Sequence, residues 1–329
     1  MDKGKIAITG ATGFLGSHLT QRLIEEGYQV NALARDKSKA EQFANDAVNV
    51  VIGDITDPDA AMRLCEGCQY VVHLVSNFRT ASGPPESYRQ INVDGTKSIY
   101  NAAVDAGVAR FVHCSTIGVH GSVKVSPATE ETEFSPGDLY QETKLEAEQY
   151  VTDQAGNTEM ELVVVRPTSM YGPGDMRMLK MFKMLKKRTF FKVGPCQENF
   201  HAVYIDDIVD GFIKAIETPG IDREKLLIGG SDYLPLEDYI NVVANAVEAP
   251  PPKLRFPYPL FYYAAVVCEK IFTPFGIEPP LHVRRVRFFK NNRAFDIKKA
   301  KRLLGYEPKV SLEEGMKRTA AWYKENGYL

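Results

Sequence analysis

The sequence lacks an excess of charge of either sign: 40 lysines and arginines face 42 aspartates and glutamates, a formal net charge of −2. No bulk basic field exists to draw nucleic acid, which is excluded as the main partner. Long apolar runs are missing too. A membrane-spanning helix needs about 20 apolar residues. The nearest approach, residues 260–268, is preceded by Pro257 and Pro259 and closed by Glu269 and Lys270. No integral membrane segment is expected. Cysteine is scarce and odd in number: Cys65, Cys68, Cys114, Cys196 and Cys268. A disulfide framework is excluded, and free thiols in a reducing cytoplasm are expected. Cys65 and Cys68 form one C-x-x-C with no second pair to complete a ligand set, so they read as packing thiols. H-E-x-x-H, H-x-x-x-H and acidic loops are absent, and no metal is expected. His113 and His201, each without a placed partner, read as structural histidines. The opening MDKGKIAITG enters a strand directly, with no leader or transit pattern. No internal repeat or low-complexity tract interrupts the chain.

What is present is enough apolar residue, 44% of 329, to build a sizeable core, in one large domain or one large and one small. The first half alternates short apolar runs with helical patterns. Residues 5–9, 30–34, 48–52, 70–74, 111–114 and 162–165 read as strands. Leu15, Leu19 and Leu23 share one helical face that Gly27 ends, and helices are expected at 37–45, 86–106 and 138–155. Strands that are apolar without clean alternation, separated by helices, predict a parallel sheet covered on both faces, hence a doubly wound α/β fold. After Pro167 the rhythm changes. A basic helix is expected at 176–187, with Met178, Met181, Phe182 and Leu185 on its apolar side, and prolines at 250–252, 257 and 259 break the chain again. The expected division is a dinucleotide-binding domain from 1–167 and 200–230, and a smaller, C-terminal substrate domain from 168–199 and 231–329. Residues 204–217 are expected to return to the main sheet.

Thr9-Gly10-Ala11-Thr12-Gly13-Phe14-Leu15-Gly16 lies between the first strand and the first helix. Gly10 permits a tight turn, Gly13 admits a pyrophosphate to the backbone, and Gly16 lets helix and strand pack closely. Thr12, Phe14 and Leu15 complete the loop at a helix N-terminus, where free N–H groups and the dipole favour an anion. In a strand–loop–helix context this is the dinucleotide fingerprint of a Rossmann sheet. An NAD-preferring fold carries an acid at the end of the second strand. Here Ala34 stands there, followed by Arg35, with Lys37 and Lys39 nearby, and an arginine pairs with a 2′-phosphate. NADP(H) is favoured. Asp36 keeps NAD(H) compatible should the strand end later, and Arg35 as a mere solvated charge remains the competing reading.

Tyr140-Gln141-Glu142-Thr143-Lys144 lies early in a helical pattern, so phenol and ammonium share one face. A free phenol titrates near 10. A neighbouring cation favours the phenolate, the tuning required to pass a proton to or from an alcohol. Ser115 and Thr116 follow the strand 111–114, at the strand ends where open α/β sheets bind ligands, and a hydroxyl there can hold a substrate oxygen against Tyr140.

T-G-x-x-G-x-x-G, a hydroxyl pair after a strand, then Y-x-x-x-K, in this order, resembles the extended short-chain dehydrogenase/reductases (the NAD-dependent epimerase/dehydratase superfamily) over nearly the whole chain. The resemblance implies an enzyme with Tyr140 as acid/base, Lys144 binding nicotinamide ribose, and Thr116, with Ser115 its neighbour, orienting the reacting oxygen. It implies that Asp54, with Ile55, contacts adenine, and that Leu74, Val75 and Ser76 form the strand end beside the cofactor. Asn92 matches the family's mid-helix asparagine, and Arg166, Pro167 and Ser169 fall in the loop by the nicotinamide. Ile117-Gly118 stand where the family's dehydratases carry an Asp-Glu pair. Ser169 replaces the asparagine, and His120 the tyrosine, of nucleotide-sugar epimerases. The run from Arg166 to Asp175 and the tail 295–306 are more similar to the hydroxysteroid dehydrogenase and dihydroflavonol reductase branches. The implied reaction is hydride transfer between nicotinamide and a small-molecule substrate, a bulky or apolar secondary alcohol or ketone. The alternatives are a nucleotide-sugar epimerase with tightly held NAD and a non-catalytic dinucleotide sensor. The resemblance also implies a homodimer through the helices 86–106 and 138–155. Phe256, Tyr258, Phe261, Tyr262, Tyr263, Phe272 and Phe275 crowd a proline-bounded segment. They are expected to form the small domain's core. The other reading is an apolar substrate mouth in peripheral contact with a membrane.

Overall fold

A computed structural model describes residues 3–36, 38, 46–78, 84–272, 275, 277 and 279–329. The opening run folds as β1 (Lys5–Thr9), α1 (Phe14–Glu25), β2 (Gln29–Ala34) and β3 (Val48–Ile52). Then come α2 (Pro58–Cys65), β4 (Tyr70–His73), α3 (Glu86–Arg89), a widened π turn (Gln90–Asp94), α4 (Gly95–Asp105) and β5 (Arg110–Cys114). A short 3-10 turn (Ile117–His120), α5 (Leu139–Gln154) and β6 (Glu161–Pro167) complete the first half. Two of the helix starts have a local cause. Asp57 caps α2, with Pro58 at the first position, and Asp138 caps α5 by accepting from the Gln141 N–H.

These strands, joined by a later β10 (Lys225–Ile228), make a seven-stranded sheet in the order β10-β6-β5-β4-β1-β2-β3, every pairing parallel. The two faces explain the unbroken apolar runs. Ile6, Ile8, Val30, Ala32, Val72 and Val112 pack to one side, toward α1. Ala7, Leu33, Val71, Phe111 and Leu162 pack to the other, toward α2 and α4. Alternation is present, but both sides are core. The segment 204–217 does return, as α7 (Ile205–Glu217) packed on α1, β5 and β6.

Beyond β6 lies a three-stranded sheet of β7 (Ser169–Tyr171), β9 (Asn199–Tyr204) and β11 (Tyr233–Pro235). A two-stranded pair, β8 (Lys192–Val193) with β12 (Arg255–Phe256), adjoins it. The helices of this half are α6 (Leu179–Lys186), α8 (Leu236–Ala246), α9 (Tyr258–Phe272), α10 (Val283–Arg287), α11 (Lys298–Leu304) and α12 (Leu312–Glu325).

Differences from expectation have physical reasons. The helix expected from Met176 starts at Leu179, because Arg177 is first folded back onto Asp175 (Nε–Oδ1 2.7 Å) and the Met170 carbonyl. The helix expected at 37–45, with Lys37 and Lys39, lies outside the described residues apart from Ser38. The expected aromatic core is only half inside. Tyr258, Phe261 and Tyr262 pack with Phe191, Val193 and Val286, whereas Tyr263 and Phe275 stand at the surface. Among the described residues no helix is long and apolar enough to cross a membrane. Cys65 and Cys68 are buried under β2, and burial pushes their thiols up to about 12 and about 11.

Candidate active site

Because the sheet is parallel, its carboxyl ends form one ledge, and strand order reverses between β1 and β4, where such sheets open a crevice. The glycine loop turns over that crevice. Gly10 adopts φ +74°, a region open to glycine, and a Cβ there would press on the Val75 nitrogen at 3.1 Å. The loop closes with Gly13 N–H donating to the Gly10 carbonyl at 2.9 Å. Gly13 is the N-cap of α1, and no side chain caps this helix, unlike α2 and α5. Its first N–H groups are available to an anion. A pyrophosphate therefore fits the loop.

Gly16 sets how close α1 comes. A Cβ would sit 2.0 Å from the Gly10 oxygen and 2.8 Å from the Ala11 Cα, both backbone. No rotamer relieves backbone contact, so Gly16→Ala is expected to cost about 1–3 kcal/mol. Thermal melting and NAD(P)H titration should both weaken. Wild-type behaviour in both would refute the cradle.

A buried polar chain ties the loop to its neighbours. Thr9 Oγ1 accepts from the Leu74 N–H at 3.1 Å, which leaves its own proton for His73 Nδ1 at 2.7 Å. His73 then carries its proton on Nε2 and donates to Thr96 Oγ1 at 2.9 Å, and Thr96 donates to the Asn92 carbonyl at 2.6 Å. Each link has one donor and one acceptor, so the order holds only for neutral histidine. Burial, reinforced by the Lys144 charge, holds His73 well below the usual histidine range. His113 stacks beside it at 5.7 Å and is lowered likewise by burial. His201 Nε2 donates to the Gly230 carbonyl.

Tyr140 sits half-buried on the first turn of α5, its ring edge-to-face with Phe78 at 4.8 Å, just past the Leu74–Ser76 segment. One turn on, Lys144 is 1% exposed and donates from Nζ to the Cys114 carbonyl at 2.6 Å, at the end of β5. Burial pulls its ammonium below the ordinary lysine range, against the pull of Cys114 and Glu148. Two residues past Cys114, the half-buried Thr116 hydroxyl accepts from the Gly118 N–H at 3.0 Å, and Gln141 packs over Gly118. Tyr140, Lys144 and Thr116 thus gather at the exits of β4 and β5.

The neighbour of Thr116 is turned away. Ser115 is buried and donates from Oγ to Glu148 Oε2 at 2.5 Å. Glu148 is paired with Arg166, and the two are 1% and 0% exposed. Arg166 also donates to His120 Nε2 at 3.1 Å and to the Glu130 carbonyl at 2.8 Å, with Phe134 against its guanidinium. This network escaped sequence reasoning, and it removes both Ser115 and Arg166 from the cleft. Asn92 is likewise a brace: its amide oxygen accepts from the Asn77 N–H at 2.6 Å and its nitrogen donates to Thr143 Oγ1 at 2.9 Å. It joins the β4 exit to the helix of Tyr140.

The remaining candidates continue along the ledge. β2 ends at Ala34, leaving Arg35 exposed, while Asp36 Oδ1 accepts from the Ser38 N–H and hydroxyl. Asp54 Oδ1 accepts from Thr56, and Ile55 is buried against Gly95. Leu74 and Val75 are half-buried and Ser76 exposed. Pro167 closes β6, and Ser169 opens β7 opposite Ala202. Thr12 and Phe14 are half-buried, Leu15 buried.

A family model described as "NAD dependent epimerase/dehydratase family" matches residues 6–229. The chain is 30% identical to a 3-beta-hydroxysteroid dehydrogenase of Mycolicibacterium neoaurum, over 98% of this chain and 92% of that protein. It is 27% identical to a putative dihydroflavonol 4-reductase of Synechocystis, over 98% and 95%. Among solved structures it is similar to gox2253, with a TM-score of 0.82 and 28% identity over 99% of both chains.

Proposed function

This chain belongs to the NAD dependent epimerase/dehydratase family of enzymes, and we propose that it is an NADP(H)-preferring dehydrogenase or reductase of a bulky, apolar secondary alcohol or ketone. The observation that carries the reading is the meeting of the Tyr140 helix, the Lys144 ammonium and the Thr116 hydroxyl at the β4 and β5 exits, on the ledge that begins at the glycine loop. Arg35, Asp54 and Ile55 would take the adenosine end, the glycine loop the pyrophosphate, and Leu74–Ser76, Pro167 and Ser169 the nicotinamide side. When bound, the nicotinamide supplies or receives hydride. Thr116 holds the substrate oxygen, Tyr140 gives or takes its proton, and Lys144 favours the deprotonated phenol by charge. Ile117 and Gly118 offer no acid or base beside Thr116, which argues against elimination. Residues 168–199 and 231–329 would wall the substrate side.

One experiment tests substrate class and cofactor together. Purified protein is assayed with bulky ketones under NADPH and NADH, alongside Arg35→Ala. We expect turnover, faster with NADPH, and about a tenfold loss of that preference in the variant, the scale of one charge-assisted hydrogen bond. An unchanged ratio refutes the Arg35 assignment. No turnover, with NAD retained through purification and affinity for uridine nucleotides, would favour an epimerase instead.

A further inference from the structure

Helix α9 (Tyr258–Phe272) carries apolar residues on both faces. Its inner face, Tyr258, Phe261, Tyr262 and Ala265, packs on Phe191, Val193 and Val286. Its outer face presents Leu260, Tyr263, Val267 and Ile271 at 61, 67, 54 and 53% exposure. The spacing of three, four and four residues keeps them in one stripe. Lys270 is the charge on that face, and past the helix Phe275 and Ile277 are also exposed, at 77 and 54%. Single exposed apolar residues are ordinary, but a contiguous stripe marks an interaction site.

The surrounding charge identifies what it meets. Residues 253–293 hold eight lysines and arginines against two glutamates, a local net of +6, so the rest of this −2 chain carries −8. Lys253 and Lys270 are exposed, whereas Arg287 and Lys290, also exposed, turn toward Gly137 and the Tyr258 ring, and Arg255 is paired with Glu237. We propose that this face is a peripheral docking surface for an anionic lipid bilayer. Such a bilayer offers hydrocarbon for the stripe and phosphates for Lys270 and the basic segment that carries it. Tyr263 brings a ring and a hydroxyl suited to the headgroup level, and Lys270 can lay its stem along the stripe with its ammonium among phosphates. A second copy of the chain is disfavoured, since a two-fold interface would set one basic face against the other. With 15 residues α9 is too short to span, so it lies in the interface plane. None of this depends on the reaction proposed above.

The test is sedimentation of the whole chain with vesicles of phosphatidylcholine alone, and with one third phosphatidylglycerol, at low and high salt. Binding is expected to the anionic vesicles, weakened by salt, and marginal to the neutral ones. Leu260→Glu with Val267→Glu should weaken it about tenfold or more at an unchanged melting temperature. Lys253→Gln with Lys270→Gln, which leaves the stripe intact, should weaken it about tenfold for anionic vesicles only, and decides the matter if the first pair melts early. Failure to bind anionic vesicles, or binding by both variants as tight as that of the wild type, overturns the proposal. So does a wild-type dimer that the glutamate variant splits, since the face would then belong to a second copy.

Discussion

Tyr140→Phe is expected to lower turnover by about 10²–10⁴-fold, the range contributed by a positioned proton-transfer group, while dinucleotide affinity stays near that of the wild type. The substitution removes one oxygen. The edge-to-face contact with Phe78 is made by the ring and survives, and the helix remains capped by Asp138. The glycine loop lies on another helix, so the loss falls on kcat rather than on cofactor binding. Steady-state kinetics with a fluorescence titration of NADPH separates the two. An unchanged kcat would remove Tyr140 from the chemistry, and with it the hydride-transfer reading. Thr116→Ala should follow Tyr140→Phe in direction. Ser115→Ala should not, because its hydroxyl serves Glu148 and its loss appears in stability.

That contrast marks where sequence reading stops. The glycine loop was legible because its spacing, between an apolar strand and an amphipathic helix, has few other uses. The Tyr140–Lys144 pair was legible because helical geometry puts residues four apart on one face. The sheet was legible because both its faces are buried, which leaves continuous apolar runs. Ser115 and Thr116 read as a pair because spacing says nothing of direction. Near a strand end, neighbouring side chains leave on opposite sides, so with Ser115 turned to the interior Thr116 leaves on the other side. Arg166, Glu148 and His120 meet only once β5, β6 and α5 are packed together, and nothing local to any of them announces the others. Aromatic crowding in α9 reads the same whether a ring faces the core or the solvent.

The largest effect on stability is expected at that hidden network. Glu148→Ala would leave the Arg166 guanidinium, 0% exposed, without its carboxylate. An uncompensated buried charge typically costs about 3–5 kcal/mol. Glu148→Gln keeps the shape and an acceptor for Ser115 while losing the charge, and should cost less. Replacing the pair together, Glu148→Leu with Arg166→Met, should recover much of the loss, since no lone charge remains. The pH dependence arises from the carboxyl itself. Burial pushes Glu148 upward, but the hydrogen bonds and charge of Arg166 and the Ser115 hydroxyl outweigh it, so the folded value lies below the ordinary one. A carboxyl lowered by folding contributes stability that is complete above its unfolded value, near 4.3, and is lost as pH falls through the folded value. Melting curves of the wild type should therefore drop in acid, with a shallower slope for Glu148→Gln. Equal stability of Glu148→Ala and wild type at neutral pH would mean that the guanidinium has found water. The network would then no longer account for how the exits of β5 and β6 are held, one residue before Thr116 and one before Pro167.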